Sequence, residues 1–296
     1  MPKPALFTTA PIDAPISAPI DALTIAQALR QAQQAGLERI DAQLLLLHLL
    51  GEHNSRAWLL THDDQLLTPA QAQQYAALCA QRLDAVPVAY LTGCKEFFGL
   101  PLQVDARVLD PRPDTEILVE WALEHMAPHT PCRVADLGTG SGAIALALQH
   151  QRPQASVTAV DVSADALAVA QANAQRLQLP VRFIQGAWLS RVDGVFDLIV
   201  SNPPYIRQDD PHMAALRHEP RQALTSGADG LDDIRTIAAQ APAHLHPGGW
   251  LLLEHGWDQA EAVQTLLRQA GLAHVSSRQD LAGQWRCTGG QWLNQN

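Results

Sequence analysis

Arg133-Val134-Ala135-Asp136-Leu137-Gly138-Thr139-Gly140-Ser141-Gly142 is the stretch on which the fold turns. Its first half is a short β-rich run. Its second half is a glycine loop, and the Ala143–His150 segment after it carries a helical pattern. A strand that enters a glycine loop and leaves as a helix is the opening unit of an α/β sheet. The pattern repeats outward from there. Ser156–Asp161, Val181–Gln185, Phe196–Ser201 and Trp250–Glu254 read as further strands, and Ala164–Gln175 as a second helix. His274–Ser277 and Gln284–Thr288 are two more strand candidates. Together they predict a parallel sheet with helices on both faces.

Upstream the periodicity changes. From Asp21 to about Pro87 apolar residues recur at helical spacing. Thr24 is placed to cap one helix and Thr68-Pro69 to open another, because a threonine cap followed by proline at the first helical position suits a helix start. Gly36 and Gly51 sit where helices end. Tyr75, Cys79, Leu83 and Val86 share a helical face that Pro87 closes. Between this region and the sheet, Lys95–Leu109 alternates around a turn and predicts a β-hairpin. The first 20 residues, rich in Ala and Pro, are expected to form a disordered leader without the features of a signal peptide.

Composition narrows the partners. The 296 residues carry 20 basic and 30 acidic side chains, a net charge of −10. Such a balance lacks the basic surface that phosphate neutralisation requires, so nucleic acid is not expected as a direct partner. Cys79, Cys94, Cys132 and Cys287 are dispersed, which predicts reduced thiols and a cytoplasmic location rather than a disulfide or zinc framework. His244 and His246 form an HxH without a third ligand, so no metal is expected. No apolar run is long enough for a membrane helix.

The glycine loop can cradle a carboxylate or phosphate against backbone N–H groups, and Asp161 at the end of the next strand can hold two ribose hydroxyls. Gly138, Gly140 and Ala143 also satisfy a dinucleotide pattern. From these residues S-adenosylmethionine stands first, with a dinucleotide and a purely structural turn left open. Asn202-Pro203-Pro204-Tyr205 separates them. It leaves the fourth strand at the edge where such sheets bind ligands. Proline fixes φ and has no N–H, so the loop is stiff and presents carbonyls. The Asn202 side-chain oxygen and the Pro203 carbonyl can accept both hydrogens of one –NH₂ group, and Tyr205 offers an aromatic face. This suits methyl transfer to a planar nitrogen by positioning and fixed dipoles. A dinucleotide enzyme gives the tetrapeptide no role.

With these residues in place the chain resembles the class I S-adenosylmethionine-dependent methyltransferases, and more closely the peptide chain release factor N(5)-glutamine methyltransferases. Arg112-Pro113-Asp114-Thr115-Glu116, Asp136–Ala143, Asn202–Ile206, Glu219-Pro220 with Ala223-Leu224, and Gly248–Gly256 carry the resemblance. It implies a Rossmann-like seven-stranded methyltransferase domain over 111–296, a hairpin linker over 94–110 and a helical substrate-recognition domain over 21–93. It implies that Gly138, Thr139, Gly140, Ser141 and Gly142 line the methionine end of the cofactor, that Asp161 holds the ribose, and that Trp188 lies by the adenine. Asn202, Pro203, Pro204 and Tyr205 would bind the glutamine amide, with Asn202, Pro203 and Tyr205 carrying the catalytic role and Asn202 also bordering the cofactor. The implied substrate is the glutamine of a Gly-Gly-Gln motif in release factors; the protein itself is expected to be a monomer.

The resemblance also implies an acidic residue before the tryptophan, where this chain has Ala187. Other readings share the site: a nucleic-acid amino methyltransferase acting on adenine N6 or guanine N2, a glutamine methyltransferase acting on a ribosomal protein, and a binding module that keeps the fold without catalysis. Gly289-Gly290-Gln291 repeats the substrate tripeptide, and a chance match stands ahead of self-methylation. Trp250 is expected in the core, Phe97 and Phe98 in packing, and Glu254 and His255 as either structural or site-adjacent residues.

Overall fold

The computed structural model describes residues 23–52 and 56–293; the expected leader lies outside them. The chain divides into two compact units, one ending at Ala80 and the other beginning at Gln81.

The first unit contains α1 (Ile25–Gln34), α2 (Arg39–Leu50), α3 (Arg56–Thr61) and most of α4 (Pro69–Leu83). Thr24 and Gln27 close a reciprocal capping box at the start of α1, and Thr68 and Gln71 bond in the same way at α4. Gly51 ends α2 in the left-handed conformation. Ile25, Leu45, Leu46, Leu59 and Leu67 are fully buried here, and Tyr75 donates its hydroxyl to the Ala42 carbonyl at 2.9 Å. The helix expected to run to Pro87 is shorter. It stops at Leu83, because Ala85 takes a left-handed φ of 67° that no helix continues through. Pro87 then caps the next helix, α5 (Val88–Thr92).

The second unit opens with α5 and a hairpin, β1 (Cys94–Phe97) and β2 (Leu100–Gln103), joined through Phe98 and Gly99. Both turn residues have positive φ, the geometry a two-residue hairpin needs. After α6 (Glu116–Glu124), the strands β3 (Arg133–Leu137), β4 (Ser156–Asp161), β5 (Arg182–Gln185), β6 (Phe196–Ser201), β7 (Leu245–Glu254), β8 (Ala273–Gln279) and β9 (Trp285–Gln291) form one sheet. Its order is β5-β4-β3-β6-β7-β9-β8. All pairings are parallel except those of β9, which runs antiparallel to β7 and β8. α7 (Ala143–Gln151), α8 (Ala164–Leu177), α9 (Asp232–Gln240) and α10 (Ala260–Gln269) complete the unit. The central strands are buried on both sides, as parallel strands covered by helices must be.

Strand order reverses at β3, with β4 on one side and β6 on the other. The loops after β3, β4 and β6 therefore meet at the topological switch point. The expected strand positions hold, and β7 begins five residues earlier than its sequence pattern suggested. Trp250 is a correction: it is half-buried rather than core, with its ring stacked on His125 at 4.2 Å between centroids. Gly289-Gly290-Gln291 lies within β9. A Cβ at Gly289 would stand 2.4 Å from Leu252 and 2.9 Å from the Trp121 ring, so this tripeptide is packed strand and not a presented loop.

Candidate active site

The glycine loop is folded by bonds to its neighbours. Gly138 and Thr139 both donate their backbone N–H to the Val160 carbonyl, at 2.8 and 3.0 Å. Beneath the loop the Asp136 carboxylate accepts from the Thr139 hydroxyl at 2.6 Å and from the Ala145 N–H at 3.1 Å, pinning the turn to the first turn of α7. Asp136 is fully buried, and that burial pushes its pKa up to about 7, against the pull of these two donors. Asp161, at the end of β4, accepts from the Gly140 N–H and the Ser163 N–H, each at 2.9 Å. Burial raises its pKa, and the backbone donors oppose the rise.

A cavity of about 300 Å³ opens above this loop. Gly138, Gly140, Asp161, Trp188, Asn202 and Pro204 all line it. Thr139 and Ser141 do not: they are buried, Thr139 on Asp136 and Ser141 through its carbonyl on the Asn173 amide at 3.0 Å. Gly142 turns toward α7, where a Cβ would meet Leu146 at 3.0 Å. Pro203 is buried behind the cavity wall, and Tyr205 is set back from it. Arg107, Val108, Leu109, Pro220, Gln222 and Ala223 also line the cavity, residues to which the sequence assigns no cofactor role.

The cavity fits S-adenosylmethionine. At Gly140, φ is +56° and a Cβ would project into open space, so the backbone is bare where a ligand must come close. At Gly138, φ is +71° and a Cβ would stand 3.2 Å from the Trp188 ring. Trp188 is itself held at a positive φ of 52°, presenting its indole to the cavity beside Ala187. An acidic group at the end of β4, a bare loop and a flat apolar wall are the donor set and shape that a ribose, an amino-acid tail and an adenine require.

At the other end stands the Asn202–Tyr205 loop. Asn202 donates its Nδ2–H to Thr115 Oγ1 at 3.1 Å, and no donor among the described residues meets its Oδ1. Tyr205 donates its hydroxyl to Glu254 Oε1 at 3.2 Å, and its carbonyl accepts from the Gln259 amide at 3.0 Å. Ile206 N–H donates to the Leu224 carbonyl and Ser226 N–H to the Ile206 carbonyl, both at 2.9 Å, which fixes the exit of the loop. Gly230 lets the chain pass: a Cβ there would meet the Tyr205 carbonyl at 2.2 Å.

The Arg112–Glu116 segment contributes to this end piece by piece. Arg112 pairs with Glu219 and Asp110, Asp114 with Arg286, and Glu116 accepts from the Phe98 N–H of the hairpin turn at 3.0 Å. Phe97 is buried in the core and Phe98 packs beside it. Asn173 on α8 was also missed. Its amide bonds Gln103 on both sides, at 2.7 and 2.9 Å, as well as Ser141, and so ties the hairpin to the glycine loop. His255 is structural, bonded to Thr288 Oγ1 at 2.7 Å. His244 meets the Gly194 carbonyl, and no cluster of three or more metal-ligating side chains occurs among the described residues.

Known proteins resemble this chain over most of its length. Residues 114–270 match the family model of the methyltransferase small domain, and residues 21–93 that of the PrmC N-terminal domain. The release factor glutamine methyltransferase of Xylella fastidiosa is 52% identical over 268 residues, covering 89% of this chain and 97% of its own length. That of Bordetella pertussis is 52% identical over 86% of this chain and 95% of its own. The chain belongs to the release factor glutamine methyltransferase family. A relative from Yersinia pestis, 48% identical over 85% of this chain and 91% of its own, carries the same name. Among solved structures, a methyltransferase from Pyrococcus furiosus aligns at a TM-score of 0.53 and 20% identity, over 73% of this chain and 98% of its own, and shares the fold. Membership makes the protein a methyltransferase with the class I fold.

Proposed function

We propose that this chain transfers the methyl group of S-adenosylmethionine to the side-chain nitrogen of the glutamine in the Gly-Gly-Gln motif of peptide chain release factors, in the cytoplasm. The observation that carries the reading is the Asn202 side chain: its nitrogen is engaged by Thr115, and its oxygen meets no donor among the described residues, in a residue that lines the cavity. The cofactor supplies an electrophilic methyl on a sulfonium. Gly138, Gly140, Asp161 and Trp188 hold it at the switch point.

An amide nitrogen is a poor nucleophile because its lone pair is delocalised into the carbonyl. Asn202 Oδ1 and the Pro203 carbonyl accept its two N–H bonds, push density back to nitrogen and orient it for in-line attack. Pro203 and Pro204 bring no N–H that could bind the substrate amide in the opposite sense. The alkylated nitrogen is strongly acidic, so no base is needed before attack. Whole-chain similarity to relatives named for release factors favours this substrate over a ribosomal protein or a nucleic-acid amine.

The test is transfer of labelled methyl from S-adenosylmethionine to purified release factor, with free RNA and DNA beside it and the label located by peptide mass spectrometry. Label on the Gly-Gly-Gln glutamine is the expected result. Label on nucleic acid with none on release factor would overturn the reading.

A further inference from the structure

Two stretches that line the cavity belong neither to the sheet nor to an α-helix. One is Arg107, Val108 and Leu109, and the other is Pro220, Gln222 and Ala223. The second sits in a long excursion between β6 and α9. Among the described residues, the backbone–backbone hydrogen bonds of 210–223 stay within 207–225, so the main chain does not tie this strap to the rest of the fold. Side chains must do so. From Pro211 to Ala223 one residue alone is buried, and it is a charged one, Glu219.

A buried carboxylate is costly unless it is paired and hydrogen-bonded. Glu219, with 3% of its side chain exposed, has a donor for each oxygen. Oε1 accepts from the Arg112 guanidinium at 2.5 Å and Oε2 from the Asp110 N–H at 3.3 Å. The same guanidinium reaches Asp110 Oδ2 at 3.3 Å, and Lys95 Nζ stands 3.5 Å from Asp110 Oδ1. Two cations and two carboxylates thus form a neutral cluster, and none of the four lines the cavity. Asp110 directly follows the first lining stretch, and Pro220 of the second directly follows Glu219. Tyr90 on α5 donates its hydroxyl to the Val108 carbonyl and fixes the first stretch from another side. A second tie of the strap is exposed: Arg217 and His218 meet Asp84 at 2.6 and 3.1 Å, with 64% of the Asp84 side chain exposed. Such surface pairs are screened and hold little.

We infer that Glu219 is a positioning residue for the cofactor: through Arg112 and the Asp110 N–H it locks the 220–223 strap to the 107–109 stretch, so that the two act as one wall that retains the cofactor and its demethylated product. Arg112 is needed as an arginine, because its planar fork serves two carboxylates at once. Glu219 is needed as a carboxylate, because a glutamine offers one acceptor oxygen to two donors. When the lock opens, the fraction of molecules with a complete wall falls, and apparent affinity falls in proportion. The inference rests on the S-adenosylmethionine reading of the cavity for its ligand and on the ion-pair geometry for its mechanism.

The experiment compares Glu219→Gln, Arg112→Lys, their double variant and Asp84→Asn in the full chain. It measures Kd for S-adenosylhomocysteine by calorimetry, its dissociation rate by stopped flow, kcat at saturating S-adenosylmethionine, and hydrogen exchange by mass spectrometry without ligand. Glu219→Gln and Arg112→Lys should each weaken Kd by about tenfold, mainly through faster dissociation, with kcat kept within about threefold. The double variant should be little worse than the poorer single one, because both open the same lock. Exchange should rise together in 107–110 and 217–224 while β3 and β6 stay protected. Asp84→Asn should leave Kd within about twofold. Should Glu219→Gln fail to fold, Arg112→Lys against Asp84→Asn carries the test.

A lower melting temperature with unchanged Kd and dissociation rate would make the cluster purely structural and overturn the inference. So would exchange that rises in one stretch alone, losses that multiply in the double variant, or an equal loss in Asp84→Asn. Wild-type protein that does not bind S-adenosylhomocysteine would overturn the cofactor reading instead. Hydrogen exchange would then decide the lock by itself: a joint rise in the two stretches upholds it, and unchanged protection refutes it.

Discussion

The two ends of the site are built by different means. At the cofactor end the determinants are local: one strand, one glycine loop, one helix start, and an aspartate at the next strand end. Most of the bonds that shape it join residues within about one β-α-β unit, such as Asp136 with Thr139 and Gly140 with Asp161. At the substrate end the determinants are distant. Asn202 is oriented by Thr115 from 87 residues upstream, and Tyr205 by Glu254 from 49 residues downstream. In the proposed reading, local backbone geometry would grip the cofactor, and long-range side-chain bonds would set the direction of one amide. The two ends should therefore fail separately.

The largest effect is expected at the substrate end. Asn202→Ala removes the acceptor and should lower kcat by about 10²–10³-fold, the scale of losing one preorganised polar group, while cofactor Kd changes only a few-fold. Steady-state kinetics with calorimetry would check it, and a comparable loss of cofactor affinity would break the separation. Next comes Gly138→Ala. The new methyl group would crowd the Trp188 ring at 3.2 Å, in a backbone conformation that costs an L-residue about 1–2 kcal/mol. Cofactor Kd should weaken by about tenfold, with kcat at saturating cofactor largely kept.

A smaller effect links both ends to pH. Burial pushes Asp136 and Glu254 up to about 7, above ordinary carboxyl values near 4. Between about pH 4 and 7 the folded state keeps protons that the unfolded chain has released, so stability should fall as pH rises through this window. Each group contributes a slope of at most about 1.4 kcal/mol per pH unit. Denaturant unfolding from pH 4.5 to 7.5 should show a flatter profile for Glu254→Gln. An unchanged slope would mean that Glu254 is not held protonated. The smallest effect is expected at Leu281, fully exposed between β8 and β9 and outside the cavity lining. Leu281→Ser should move stability by less than about 0.5 kcal/mol and leave activity alone.

The same contrast explains what could be read from sequence. The strand–loop–helix at 133–150 and the acid at Asp161 were legible because periodicity and glycine placement are local signals. Asn202–Tyr205 was legible because its proline pair dictates a stiff, acceptor-rich loop. The sequence carried no local signal that Thr139 and Ser141 would turn inward while Gly138 and Gly140 face the cavity, since that depends on the bonds to Asp136 and Asn173. The sequence does not choose between two roles for Glu254, because a buried carboxyl acquires its meaning from partners on other segments. Trp250 differs from its expectation for a similar reason: hydrophobicity favours burial, but the ring is half-buried and stacked on His125, a partner from another segment.

The most direct measurement is a crystal structure of the protein with S-adenosylhomocysteine and a peptide that contains Gly-Gly-Gln. The account predicts the glutamine side-chain nitrogen at hydrogen-bonding distance from both Asn202 Oδ1 and the Pro203 carbonyl, facing the sulfur, with Asn202 Nδ2 still on Thr115. A glutamine bound through its amide oxygen to Asn202 Nδ2, or seated away from Asn202 altogether, would contradict it.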